Sequence, residues 1–193
     1  MSKHLHCATD LLSRAHLGDL SIDVQTVISN HADAAEICSM YDKKFGHLPV
    51  SDLPDARVEQ EHQIATLLDA HRFDLVILAR YMLVLPASVV VPWFTRMINI
   101  HHSFLPSFIG ANPYRQAHDR GVKIIGATAH YVSEVLDEGP IIAQDVTPVS
   151  HRDDVQDLTR RGRNLEINVL ANAVRAHVEH RILMFGNRTI VFH

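Results

Sequence analysis

Cysteine is nearly absent: 193 residues hold only Cys7 and Cys38. Two isolated cysteines make neither a disulfide framework nor a CxxC motif, so reduced thiols and a cytoplasmic location are expected. Long apolar runs are missing as well. The longest, such as Leu75 to Ala79 and Val89 to Pro92, fall far below the ~20 residues that cross a bilayer, and no membrane association is expected. Met1 to Asp10 has no apolar core, so no signal peptide is expected. There is no basic excess: net charge is −4 with His neutral, which argues against a nucleic-acid or anionic-membrane partner. An internal repeat, a low-complexity tract, an interdomain linker and the HExxH zinc motif are all lacking.

What remains is 47% hydrophobic and 21% charged, the profile of one globular domain able to bury a core without disulfides. Residues 1–193 are therefore expected to form a single domain. Fifteen histidines make its charge sensitive to mild acid.

Strand-like apolar runs alternate with helix-like segments, which predicts an α/β fold with a mainly parallel, doubly wound, Rossmann-like sheet. Helices are predicted over Cys7–His16, Ala32–Lys44, Asp55–His71 (Val58, Ile64, Leu67 and Leu68 at helical spacing), Pro113–Arg120 and, as one long amphipathic helix, Asp153–His180. Strands are predicted over Ile22–Ser29, His47–Val50, Phe73–Ala79, a run ending near Asn99, Val122–Val132 and Ile141–Val146. The tail, Arg181–Phe185 and Arg188–Phe192 across Gly186-Asn187, reads as a β-hairpin. The chain opens almost directly on a helix, where a domain of this type normally begins with a central strand. Ser2-Lys3-His4 reads as the loop after such a strand. A gap in the sheet, rearranged pairing or a partner's chain in the slot is the expected consequence.

Asn99-Ile100-His101-His102-Ser103-Phe104-Leu105-Pro106, answered by Leu136-Asp137-Glu138-Gly139-Pro140, carries the chemistry. An amide, an imidazole and a carboxylate suffice to attack a carbonyl and hold its oxyanion. Asn99 and His101 are two apart and so share a strand face, and Asp137 comes from a second strand-end loop. His102 should face the other way and reads as structural. Ser103 caps or orders the loop. Thr128 and His130 share a face and either support Asp137 or belong to the core. His4-x-His6-Cys7 has a metal-like look, but no second ligand cluster accompanies it, and no metal is expected. Arg160-Arg161-x-Arg163, on a helix with Asp154, Asp157 and Glu166, reads as a solvated face.

Asn99-Ile100-His101-x-Ser103-x-Leu105-Pro106, Gly126-x-Thr128-x-His130 and Leu136-Asp137-x-Gly139-Pro140-Ile141-Ile142, in this order, resemble the folate-dependent formyltransferases. Glycinamide ribonucleotide formyltransferase is their best-known member. Ser2-Lys3-x-x-His6-Cys7, Asp10-Leu11-Leu12, Leu78-Ala79-Arg80-Tyr81-Met82, Gly110-Ala111-x-Pro113-Tyr114 and Thr189-Ile190-Val191-Phe192 look closer to the formyltetrahydrofolate deformylase branch, whose members usually carry an N-terminal ACT-type domain that this sequence does not include. The resemblance covers essentially the whole chain. It implies the formyltransferase-type sheet, followed by the long helix and β-hairpin. It also implies hydrolysis of 10-formyltetrahydrofolate to tetrahydrofolate and formate, supplying purine synthesis and balancing the one-carbon pool, with no cofactor.

In that reading Asn99 hydrogen-bonds the formyl oxygen, protonated His101 stabilises the oxyanion, and Asp137 holds His101 charged and orients water. The folate pterin falls to Leu83, Val84, Leu85, Glu134 and Val135, with core packing the rival for Leu83 and Leu85. Residues near His4–Cys7 and Pro113-Tyr114 fill the channel that a transferase leaves for its amine. The runner-up is formyl transfer to an amine such as glycinamide ribonucleotide, disfavoured because Ser2 to Cys7 lacks the glycines of a phosphate loop. Transfer to initiator tRNA needs a C-terminal basic domain that this sequence does not include. A non-catalytic folate-binding module and a homo-oligomer are left open.

Overall fold

The computed structural model describes residues 1, 3–50, 54–107 and 112–193. Ser2, Gly110 and Ala111, which belong to motifs quoted above, lie outside the described residues. The chain runs α1 (His6–Leu17), β1 (Thr26–Ser29), α2 (Ala35–Met40), β2 (Lys44–His47), α3 (Pro54–Ala70), β3 (Val76–Leu78), α4 (Ala87–Val90), β4 (Met97–His101), α5 (Pro113–Arg120), β5 (Ile124–Tyr131), β6 (Ile141–Pro148), α6 (Val155–Val178), β7 (Ile182–Phe185) and β8 (Arg188–Val191).

The sheet is mixed. β1 and β2 pair in parallel, as do β3 and β4, whereas β5 lies antiparallel to both β4 and β6. The expected hairpin is present as β7–β8. β5 is central to its sheet and its two faces have separate uses. Ile125, Ala127, Ala129 and Tyr131 enter the main core with Leu165, Val169, Leu170 and Val174 of α6. Gly126, Thr128 and His130, by the period-two alternation of a strand, face the other side. α6 starts with a capping box in which Asp154 accepts from the Asp157 backbone and Asp157 answers on the Asp154 N–H, satisfying two otherwise orphaned donors.

Four expectations are corrected. The helix placed over Ala32–Lys44 is a short 3₁₀ turn at Ala32–Ala34 followed by α2. It stops because Asp42 takes φ 52°, which frees Lys44 to begin β2. The strand placed at His47–Val50 therefore lies at Lys44–His47, opposite Thr26–Ser29. Helix α4 was missed, since Pro86 at its N-cap and Pro92 just beyond read as breakers around a short apolar run. Val58 on α3 is 64% exposed and does not belong to the core stripe.

No described strand joins β1 to β3. Between them lies a cavity of about 750 Å³ lined by Leu11, Leu12, Ile28, Leu75, Ile77 and Ala79, among others. Met1 reaches its edge, with its amino group donating to the Ile28 carbonyl at 2.8 Å and its carbonyl accepting from Ser29 Oγ at 2.9 Å. No helix among the described residues is long and apolar enough to cross a membrane.

Candidate active site

Strand register assembles the site. β4 places Met97, Asn99 and His101 on one face, and its antiparallel partner sets Asn99 opposite His130 and His101 opposite Thr128. Opposed residues share a face with Cβ atoms about 5 Å apart, so the polar groups of two strands meet. Asn99 Nδ2 donates to His130 Nε2 at 3.3 Å, and His130 Nδ1 donates to the Tyr131 carbonyl at 2.8 Å. Because a carbonyl only accepts, that contact fixes the proton of neutral His130 on Nδ1.

Asp137 arrives on the β5–β6 loop with φ 58°. Its Oδ2 lies 3.2 Å from His101 Nδ1 and its Oδ1 lies 3.6 Å from His130 Nε2. Burial alone would raise this carboxyl, but the hydrogen bond from His101 leads the contributions that outweigh it and hold Asp137 well below the usual carboxylate range. Gly139 makes the approach possible: a Cβ there would sit 1.7 Å from the Tyr131 carbonyl oxygen. The three residues predicted to converge therefore do so. Two buried atoms are left without a hydrogen-bond partner, His101 Nε2 and Asn99 Oδ1.

Above them opens a cleft of about 280 Å³ whose walls include Leu83, Val84, Leu85, Glu134 and Val135 beside Asn99, His101 and Asp137. All five predicted folate contacts line it. Core packing, the rival for Leu83 and Leu85, holds in part for Leu85, which packs against the cluster of Leu68, Val89, Trp93 and Met97; Val84 and Val135 are 44% and 55% exposed. The supporting residues divide. His130 contacts Asp137, whereas Thr128 Oγ donates to the Ser103 carbonyl at 2.9 Å and accepts from Leu105 N–H at 3.1 Å, so it holds the loop after β4 rather than Asp137. Ser103 orders the same loop by donating to the Ser107 carbonyl at 2.6 Å.

Two residues differ from expectation. His102 lines the cleft, because the strand ends at His101 and alternation no longer dictates the next side chain. Its ring lies 5.1 Å from that of His101 and 6.2 Å, edge-on, from Tyr114. Burial first, then the charges of Arg80 and His101, depress the His102 imidazole to about 4, against opposing pulls from Glu166 and Asp137.

Glu166 is not part of a solvated face but 0% exposed. It accepts from Tyr114 Oη at 2.5 Å, meets His6 Nε2 at 2.8 Å and lies 3.5 Å from Arg80 Nε. Burial would raise it, yet the His6 hydrogen bond and the Arg80 charge lead the contributions that hold it below its ordinary value. His6, Cys7 and Glu166 bring ligand atoms within 4.8 Å of one another. A cation there would compete with Arg80, and burial pushes the Cys7 thiol strongly up, so the donor set does not suit a metal. Sequence reading missed this cluster because its members are scattered over α1, the β3–α4 loop, α5 and α6.

The formyl transferase family model matches residues 1–174: the chain belongs to the formyl transferase family. A formyltetrahydrofolate deformylase from Synechocystis is 52% identical over 192 residues, 100% of this chain and 66% of that protein. The crystal structure of a formyltetrahydrofolate deformylase from Pseudomonas syringae superposes with TM-score 0.95 at 48% identity, covering 100% of this chain and 64% of that one. Glycinamide ribonucleotide transformylase 1 from Symbiobacterium toebii gives TM-score 0.90 at 33% identity, with 97% and 89% covered. The chain thus spans about two thirds of the length of the curated relatives it matches.

Proposed function

We propose that residues 1–193 act as one catalytic unit that hydrolyses 10-formyltetrahydrofolate to tetrahydrofolate and formate. The observation that carries this reading is the unpartnered, buried His101 Nε2 beside Asn99 and Asp137 at the head of the apolar cleft. An orphaned buried polar atom costs roughly 1–3 kcal/mol, and a bound carbonyl relieves it. The pterin lies along Leu83, Val84, Leu85, Glu134 and Val135. The formyl oxygen accepts from Nε2–H of protonated His101 and from the second N–H of Asn99 Nδ2, the first being committed to His130. Asp137, held ionised, compensates the His101 charge and orients water. Water adds to the formyl carbon, the C–N10 bond breaks, N10 takes a water proton, and formate leaves. Such preorganised donors act where charge develops.

Hydrolysis is favoured over transfer by what stands behind His102. His6, Arg80, Tyr114 and Glu166 are packed together there, where the family resemblance implies a transferase's amine channel, and the relatives of about half identity carry the deformylase name. No step requires a cofactor, and a cytoplasmic setting with supply of formate to purine synthesis fits this chemistry. The test is release of formate from 10-formyltetrahydrofolate, run beside formylation of glycinamide ribonucleotide. Formate release faster than amine formylation supports the reading, and the reverse order replaces it with transfer. Folate binding with neither reaction leaves a non-catalytic folate module.

A further inference from the structure

An attacking water must aim one lone pair at the formyl carbon while both its hydrogens are held; a single acceptor leaves it free to rotate. Asp137 is one acceptor, already engaged by His101. Resting on the hydrolytic reading above, we propose that His102 is the second acceptor, a neutral imidazole that holds the other hydrogen of the nucleophilic water.

Four observations converge on this assignment. His102 lines the same cleft as Asn99, His101 and Asp137. Its ring is tilted 45° against that of His101 with centroids 5.1 Å apart, so it is a direct neighbour of the imidazole assigned to the formyl oxygen. Neither of its ring nitrogens makes a hydrogen bond to another side chain or backbone group among the described residues, although the residue is only 6% exposed. Finally, its surroundings are built to hold it. Tyr114 stands edge-on to it and is pinned through Oη to Glu166. α6 leaves room for that phenol by carrying Gly162, where a Cβ would lie 2.1 Å from Tyr114 Oη.

The charges around it keep a lone pair available. Arg80 and His101 repel a proton from His102, Glu166 and Asp137 attract one, and with burial the balance favours the unprotonated ring. An unprotonated imidazole presents one acceptor nitrogen, whereas a protonated one would turn the water away from the carbonyl.

The experiment compares wild type with His102→Phe and His102→Asn for formate-release kcat and KM, together with tetrahydrofolate Kd by fluorescence titration. Misplacing a nucleophile costs about 10²-fold, so His102→Phe is expected to lower kcat by about that factor with tetrahydrofolate Kd unchanged. His102→Asn keeps an acceptor and recovers part of the loss. Should the Phe chain fail to melt cooperatively, the Asn chain carries the comparison, with a kcat loss at unchanged Kd as the expected result. A kcat within twofold of wild type in the folded variants, or a loss that follows Kd in proportion, overturns the assignment. A wild-type chain that releases no formate overturns the hydrolytic reading as well, so the two failures are distinguishable.

Discussion

A histidine held neutral by burial stores a pH dependence, and at the residue scale His102 is the strongest case in this chain. Unfolded, it takes a proton near the ordinary imidazole value of 6.5; folded, it resists until about 4. Between those limits the unfolded chain binds more protons, so stability present above pH 6.5 is lost as pH falls toward 4. The shift corresponds to about 3 kcal/mol. His4 and His177 are also lowered, first by burial, and add to the loss with the same sign. Asp137 and Glu166 are depressed carboxyls whose stability is present above their unfolded values of 3.8 and 4.5 and goes as pH falls below them, a lower window. His102→Gln should therefore flatten the fall in urea-unfolding free energy between pH 6.5 and 4 while leaving the drop below 4. An unchanged slope would show that the imidazole is as free to charge in the fold as out of it. Legibility divides along similar lines. Asn99 and His101 could be read because strand alternation places them on one face, and Asp137 because a turn precedes a second strand. His102 and Glu166 could not, since one lies past the strand end and the other is buried only by elements distant in sequence.

Elements with strong local signals matched their sequence reading, and α5 matched it residue for residue, bounded by Pro113 and by Gly121 in the left-handed conformation. β1 is shorter than expected, starting at Thr26 rather than Ile22, because it has only β2 to pair with and residues before Thr26 find no ladder partner. α6 offers the sharpest test at this scale. Gly in an exposed helix interior is worse than Ala by about 1 kcal/mol, so Gly162→Ala would ordinarily stabilise. Here the added methyl meets Tyr114 at 2.1–2.4 Å, and overpacking typically costs about 1–3 kcal/mol. Gly162→Ala should thus lower the melting temperature, and Gly162→Ala/Tyr114→Phe should recover little, because two of the close atoms belong to the ring. A higher melting temperature for the single variant would mean that the phenol moves aside freely.

Across the whole molecule, the sheet divides between β1 and β3 over the cavity described above, while the site sits at β4 and β5. β3, at the divided edge, pairs directly with β4 and sets Leu78 beside Asn99, so the edge bears on the candidate site. An apolar strand-forming segment fused ahead of residue 1 should occupy the cavity, pair with β1 and β3, and raise melting temperature and formate release together; no change in either would mean that this edge bears little on stability or site geometry. The proposed chemistry turns on two donors, Asn99 and His101, and on the Asp137 carboxylate paired with His101. Formate release from 10-formyltetrahydrofolate, measured for wild type and for Asn99→Ala, His101→Ala and Asp137→Asn, tests it most directly. Wild type should turn over, each single variant should lose about 10²–10³ in kcat, and a double variant should lose far less than the product of its singles. Full activity in any of the three variants would contradict the account.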